Sequence, residues 1–204
     1  LSALEGIEVT DTSSLFPNEV NEPALPSGLF YAPSFLSTED QRRLFEEIDA
    51  NEWSLELKRR VQHYGYRYDY KARRIDPSMH LGPLPPFAIG IAARLQTVTS
   101  FTQLPDQLIV NEYLPGQGIS AHVDCKTCFN NRVAIASLGW PYEMEFQHTH
   151  SQTNTKLLLG VGSLLVLADE ARYRWTHQIR ARHQDRGVPR QRRLSLTFRK
   201  VLLS

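Results

Sequence analysis

Asn111 to Asp124 reads NEYLPGQGISAHVD and holds the residue types on which chemistry could be built. Asn111 and Tyr113 stand two apart, a Pro-Gly turn follows, and then come His122 and Asp124, again two apart. Side chains alternate across a strand with period two, so each pair shares one face if both stretches are extended. A His and a carboxylate aimed into one cavity supply two ligands of the two-His, one-carboxylate set that leaves open positions on Fe(II). By itself H-x-D is weak in a chain with seven His, because short motifs recur by chance.

The third ligand has to come from another segment, and the downstream choices are His148, His150, His177 and His183. His177 lies in YRWTHQI, a strand-like run that can aim a side chain, and is the expected ligand. His148 and His150 form an H-x-H pair suited to an exposed edge, and His183 lies in the basic loop ARHQDRG. The closing run RRLSLTFRKV puts Arg193, Ser195, Thr197 and Arg199 on one face and Leu194, Leu196 and Phe198 on the other. An Arg inside a fold is costly unless an anion pairs with it. A dicarboxylate cosubstrate would be such an anion, held by the guanidinium fork. Six residues of flat strand span about 20 Å, so both Arg reach one small molecule only if the strand bends or the arms lean inward.

The elements that must position these groups can be read in order. At 204 residues, with 41% hydrophobic and 22% charged, the chain suits one domain with a substantial core. Residues 1–28 carry Pro17, Pro23 and Pro26 without periodicity and read as an extension. Gly28 to Phe35 reads as a short strand. Ser37 or Thr38 can cap a helix with an apolar stripe of Leu44, Phe45 and Ile48, ending near Asn51. After a proline-rich loop from Asp76 to Pro86, Phe87, Ile91, Leu95 and Val98 mark a second helix. Short strands dominate thereafter: Val133–Leu138, Glu143–His148, Lys156–Leu159, Ser163–Ala168, Trp175–Ile179 and Leu194–Val201. Helices first and strands afterwards predict an α+β fold, an antiparallel two-sheet roll buttressed by helices, with no second domain. The longest apolar run, Leu157 to Ala168, is too short to cross a bilayer. Cys125 and Cys128 are too few for a disulfide framework. They read as ordinary thiols in a reducing compartment, since a zinc site needs four ligands.

The net charge of +1 conceals an asymmetry. Residues 58–74 hold seven Lys or Arg against Asp69 alone, and residues 172–204 hold ten against Asp185 alone. Two basic segments on an otherwise acidic body form an electrostatic footprint for phosphates, or simply two solvated faces. Within the first, KRRVQHYGYRYDYKARR, Tyr64, Tyr66, Tyr68 and Tyr70 recur at every second residue and would share one face of a strand. Rings beside cations suit unstacked bases, although aromatic alternation also marks a strand packed on a core.

N-x-Y-x-P-G ahead of H-x-D, a later W-T-H and a closing R-x-S-x-T-F-R, in that order, resemble the AlkB family of Fe(II)- and 2-oxoglutarate-dependent dioxygenases. The likeness runs from Ser27 to the end. It implies a double-stranded β-helix, or jelly roll, over 29–204, with iron on His122, Asp124 and His177. It also implies 2-oxoglutarate held by Asn111, Tyr113, Arg193 and Arg199, with O2 as the other cosubstrate. Family members oxidise an alkyl group on a base while the cosubstrate is split to succinate and carbon dioxide; a carbon on a ring nitrogen then leaves as an aldehyde. The tyrosine segment falls in the family's nucleotide-recognition lid, about 58–86, which makes Arg60, Tyr64, Tyr66, Tyr68 and Lys126 candidate substrate contacts. RRVQHYGYRYDY is most similar to the AlkB-type domain of the tRNA wobble-uridine hydroxylase. Alkylation-repair members carry an acid two places after the iron Asp, where this chain has Lys126, which puts methyladenine and methylcytosine in doubt. The wobble-uridine relatives' RNA-binding domain, methyltransferase domain and Cys-rich tail have no counterpart in this sequence. The expected function is oxidative removal of alkyl groups from bases in DNA or RNA. The alternatives are hydroxylation of a modified wobble uridine in tRNA and an inactive nucleic-acid-binding module. A cytoplasmic monomer is expected, or a nuclear one in a eukaryote, with nucleic acid as partner and no membrane.

Overall fold

The computed structural model describes residues 24–99 and 101–203; most of the proposed extension, 1–23, lies outside the described residues. Among the described residues twelve strands and three α-helices run in the order β1 (Leu29–Ala32), α1 (Thr38–Asp49), β2 (Val61–Tyr64), α2 (Pro86–Val98), β3 (Gln107–Tyr113), β4 (Ile119–His122), β5 (Phe129–Leu138), β6 (Tyr142–His148), β7 (Asn154–Leu159), β8 (Leu164–Ala168), α3 (Asp169–Tyr173), β9 (Trp175–Ile179), β10 (Gln184–Asp185), β11 (Val188–Pro189) and β12 (Arg193–Val201), with a short 3-10 helix at Pro77–Met79 between β2 and α2. A six-stranded sheet has the order β1-β8-β5-β12-β3-β2 and a four-stranded sheet the order β4-β9-β6-β7; β10 and β11 pair separately. Every paired strand is antiparallel. The two sheets form the jelly roll, with α1 and α2 on the outside of the larger one.

Alternation in the central strands explains both layers. Leu194, Leu196 and Phe198 of β12, with Leu108 and Val110 of β3, pack against Leu44, Phe45 and Ile48 of α1 and Phe87, Ile91 and Leu95 of α2. The opposite face of the same sheet meets the smaller sheet through a second cluster that includes Tyr113, Ile135, Tyr142, Met144 and Phe146. α1 starts where its sequence signal lies. Ser37 Oγ accepts from the Asp40 amide and the Asp40 carboxylate accepts from the Ser37 amide, a reciprocal cap that satisfies two otherwise unpaired donors.

The tyrosine segment departs from the expected extended run. β2 stops at Tyr64 because Gly65 takes φ +76°, and a Cβ there would lie 1.8 Å from the Asp106 carbonyl oxygen. The chain then doubles back, with Tyr66 bridging His80, Asp69 bridging Arg74 and a turn over Tyr70–Arg73. Asp69 Oδ1 accepts from the amides of Lys71 and Ala72 at 2.9 and 2.8 Å, which fixes that turn. The four tyrosines therefore do not share one face.

Candidate active site

β4 and β9 pair with His122 opposite His177, so their imidazoles meet across the ladder with ring centroids 4.3 Å apart. β4 ends at His122, one register irregularity after Ile119, and Asp124 sits just past the strand rather than on it. The departure from the ladder turns its carboxylate toward both rings, with Oδ2 3.5 Å from His177 Nε2. One ligand atom from each of the three lies within 4.8 Å of the others, and among the described residues no further group of His, Cys, Asp or Glu is so arranged.

The protonation states suit a metal. Burial would raise the Asp124 carboxyl, but the Arg199 guanidinium, followed by His177, His122 and Arg172, holds it well below the usual carboxylate range. Burial, reinforced by His122, pushes His177 down to about 3, so its ring is neutral at ordinary pH. His122 Nδ1 lies 2.8 Å from the Ser120 carbonyl oxygen; a proton held there leaves the Nε2 lone pair free for a ligand bond.

β12 lies between β3 and β5, and its inward residues end in Arg193 opposite Tyr113 and Arg199 opposite Gln107. Arg199 donates through Nη2 to Asp124 Oδ1 at 2.5 Å and through Nη1 to Gln107 at 3.3 Å. Arg193 is fully buried, with its guanidinium 5.4 Å from the Tyr113 ring centre. Nη2 donates to Ser137 Oγ at 3.0 Å, while Nε and Nη1 have no partner. Buried guanidinium donors without an acceptor are costly, and a carboxylate is the group that fits them. Asn111 accepts at Oδ1 from Arg59 Nε at 2.9 Å.

A cavity of about 620 Å³ is bordered by His122, Asp124, His177, Asn111, Tyr113 and Arg199, while the fully buried Arg193 is not among its lining residues. Tyr68, Tyr70, Lys58, Arg59 and Arg73 line it from the lid side. Of the expected substrate contacts, Tyr68 is there. Tyr64 instead packs edge-on against Phe87 of α2 and donates to Gln62 at 3.0 Å. Tyr66 lies on His80, 4.8 Å between ring centres, and packs on the Ile75–Cys128 cluster. Arg60 is bound to Glu112 at 2.5 and 2.6 Å and stacks on Trp53. Lys126 is exposed and lies outside the cavity lining.

Sequence reasoning preferred Arg60 to its neighbour Arg59. The usable signal was Glu112, which alternates away from Asn111 and Tyr113, so a cation paired with it must face away from the cavity too. Arg172 was missed altogether. It is buried and donates from Nη1 to the Asp124 carbonyl at 2.9 Å and from Nη2 to the Cys125 carbonyl at 2.8 Å. The pair read as thiols is joined: Cys125 and Cys128 form a disulfide across the turn between β4 and β5. A separation of three residues brings the two sulfurs together only because this particular turn folds them toward each other.

Residues 28–199 match the 2OG-Fe(II) oxygenase superfamily. The chain belongs to it. Within that superfamily it is of the AlkB type. It is 35% identical over 216 residues to an Arabidopsis thaliana protein named Alkylated DNA repair protein ALKBH8 homolog, a match covering 92% of this chain and 61% of the relative. It is 36% identical over 172 residues to the Xenopus tropicalis tRNA (carboxymethyluridine(34)-5-O)-methyltransferase alkbh8, covering 82% of this chain and 27% of the relative. This chain thus spans under two thirds of the first relative and about a quarter of the second. The solved structure of OsALKBH1 superposes with a TM-score of 0.69 at 18% identity, covering 88% of this chain and all of that one.

The AlkB-type chain is a dioxygenase using Fe(II), 2-oxoglutarate and O2. His122, Asp124 and His177 would hold the iron, and Arg193 would take a cosubstrate carboxylate. When bound, iron and cosubstrate supply the oxidising power for inserting oxygen into a C–H bond. The chain's own part is to keep His177 neutral, fix Asp124 in its ionised form and shelter the reacting volume.

Proposed function

We propose that this enzyme oxidises an alkyl carbon carried by a nucleobase in RNA or DNA. The observation that carries the reading is the wall opposite the His-Asp-His cluster. Tyr68 and Tyr70, with ring centres 5.2 Å apart, stand beside Lys58, Arg59 and Arg73 at one cavity. Rings hold an unstacked base on its face, and cations hold the flanking phosphates. The names of the Arabidopsis and Xenopus relatives refer to alkylated DNA and to tRNA, which supports the same reading.

A narrower reading, hydroxylation of a modified wobble uridine in tRNA, is favoured by the charge of the lining. Among the described residues that border the cavity, Asp124 is the one acidic side chain, and it is taken by Arg199 and the metal site. A base made cationic by alkylation would enter without a carboxylate partner and meet Arg59 and Arg73. A neutral uridine meets no such opposition. The similarity to the frog tRNA-modifying relative supports it too.

The test is to incubate the iron-loaded protein and 2-oxoglutarate with RNA and DNA oligonucleotides bearing single modified bases, and with bulk tRNA. Nucleosides are then read by mass spectrometry. A uridine that gains one oxygen atom is expected. Loss of methyl from methyladenine or methylcytosine with uridines untouched would overturn the narrower reading. No change in any nucleoside of the RNA, DNA or tRNA would overturn both.

A further inference from the structure

We propose that Cys125 and Cys128 form a reversible dithiol–disulfide site, exchanged by a small dithiol or by the dithiol of a reductase, that sets how firmly the lid is held against the cavity. Neither the metal set nor the base-binding wall uses these residues.

The pair spans the turn from Lys126 to Cys128, directly after the metal ligand Asp124. Cys125 borders the cavity, whereas Cys128 is 6% exposed. Cys128 is packed with Ile75, Phe129 and Val201, and Tyr66 and Tyr68 of the lid lie against the same cluster. Both sulfurs approach one lid atom, the carbonyl oxygen of Arg73, at 3.6 Å from Cys125 and 3.5 Å from Cys128. Arg73 lies in the lid turn at φ +51° and borders the cavity. On the other side, Arg172 holds the carbonyls of Asp124 and Cys125. A change at the sulfurs is therefore resisted on the metal side and passed to the lid.

The exchange balances without any further reactant. A thiolate of the dithiol attacks the more accessible Cys125 sulfur, the intramolecular S–S bond breaks, and Cys128 leaves with the electron pair and takes a proton. The reagent's second thiol then displaces Cys125, so two protein thiols form and the dithiol becomes a disulfide. A disulfide reagent runs the sequence backwards. A sulfur in a disulfide has no hydrogen to donate, while a thiol is a weak donor, and the Arg73 carbonyl oxygen lies within 3.6 Å of one sulfur and 3.5 Å of the other. Reduction thus adds two donors to the lid turn, and oxidation removes them.

The experiment compares the wild-type chain in excess dithiothreitol and in excess oxidised glutathione, followed by removal of the reagent. Maleimide labelling with mass spectrometry reads the thiols, and amide hydrogen exchange reads residues 66–80. We expect two labelled thiols in one state and none in the other, interconverting repeatedly, with exchange around residues 70–74 at least threefold slower in the reduced form. The C125S/C128S variant should lose the redox response. If it fails to fold, the wild-type comparison still decides. Two outcomes overturn the proposal: thiols that never pair in the folded chain, or pairing that leaves lid exchange unchanged. The readout involves no nucleic acid, so it stands or falls apart from the substrate assignment.

Discussion

Arg199 Nη2 and Asp124 Oδ1 are 2.5 Å apart, so the outer arginine of the last strand grips a candidate metal ligand and keeps one unpaired nitrogen, Nε, whereas Arg193 keeps two, Nε and Nη1. The two arginines, six residues apart, should therefore fail differently. Breaking a buried charge pair by removing one partner costs about 3–5 kcal/mol, and in Arg199→Ala the carboxylate placed to hold iron also loses the side chain that orients it. Titration of Fe(II) or Mn(II) should show weakened metal binding in Arg199→Ala. Arg193→Ala should keep its metal and need far more 2-oxoglutarate. Equal loss of metal in both variants would sink this division of labour.

The pH dependence of the metal-free protein follows from His177. Unfolded, it takes a proton near its ordinary 6.5; folded, burial and then His122 delay that to about 3. The unfolded state thus binds more protons across this window, so stability is full above about 6.5 and declines as pH falls toward 3. Asp124, held ionised in the fold, adds a second loss below its ordinary 3.8. Between about pH 6.5 and 5, His177 alone should cost about 2 kcal/mol. Urea unfolding at both pH values would read it, and His177→Gln should flatten the slope.

Arg172 offers a third test. It is buried and spans α3, just ahead of the His177 strand, and the backbone of Asp124 and Cys125. Arg172→Met keeps most of the bulk and leaves two carbonyls without their donors, at about 1–3 kcal/mol. The melting temperature should fall, and metal affinity should fall with it because Asp124 loses its backbone anchor. A stability loss with unchanged metal affinity would make Arg172 a packing residue only.

What could be read in advance had a simple physical basis. β3 and β12 alternate because both faces of the larger sheet are covered, one by helices and one by the cavity, so Asn111, Tyr113, Arg193 and Arg199 announced their side. The Ser37 cap was legible because a capping box is local. The tyrosine segment misled because period two describes a strand only while the backbone stays extended, and the reversal at Gly65 depends on the Asp106 carbonyl, 41 residues away in sequence. Arg172 and the Cys125–Cys128 bond are long-range or turn-specific arrangements with no periodic signature.

The lid provides the last prediction, because the structure divides its tyrosines into two kinds. Tyr64 is wedged on Phe87, so Tyr64→Ala should lower stability by about 1–3 kcal/mol and leave nucleic-acid affinity alone. Tyr68 faces the cavity beside Tyr70, so Tyr68→Ala should weaken binding by about 1–3 kcal/mol at every salt concentration, since stacking carries no counterions. Arg73 is exposed at the mouth. Neutralising it should reduce the slope of log affinity against log salt by about one unit, the mark of one lost phosphate contact. Arg60, held by Glu112, should leave that slope unchanged when replaced by Gln, although the fold will be weaker. Fluorescence anisotropy of a labelled RNA across a salt series measures all four variants together. A Tyr68→Ala variant that binds normally while Tyr64→Ala does not would reverse the assignment of the two rings.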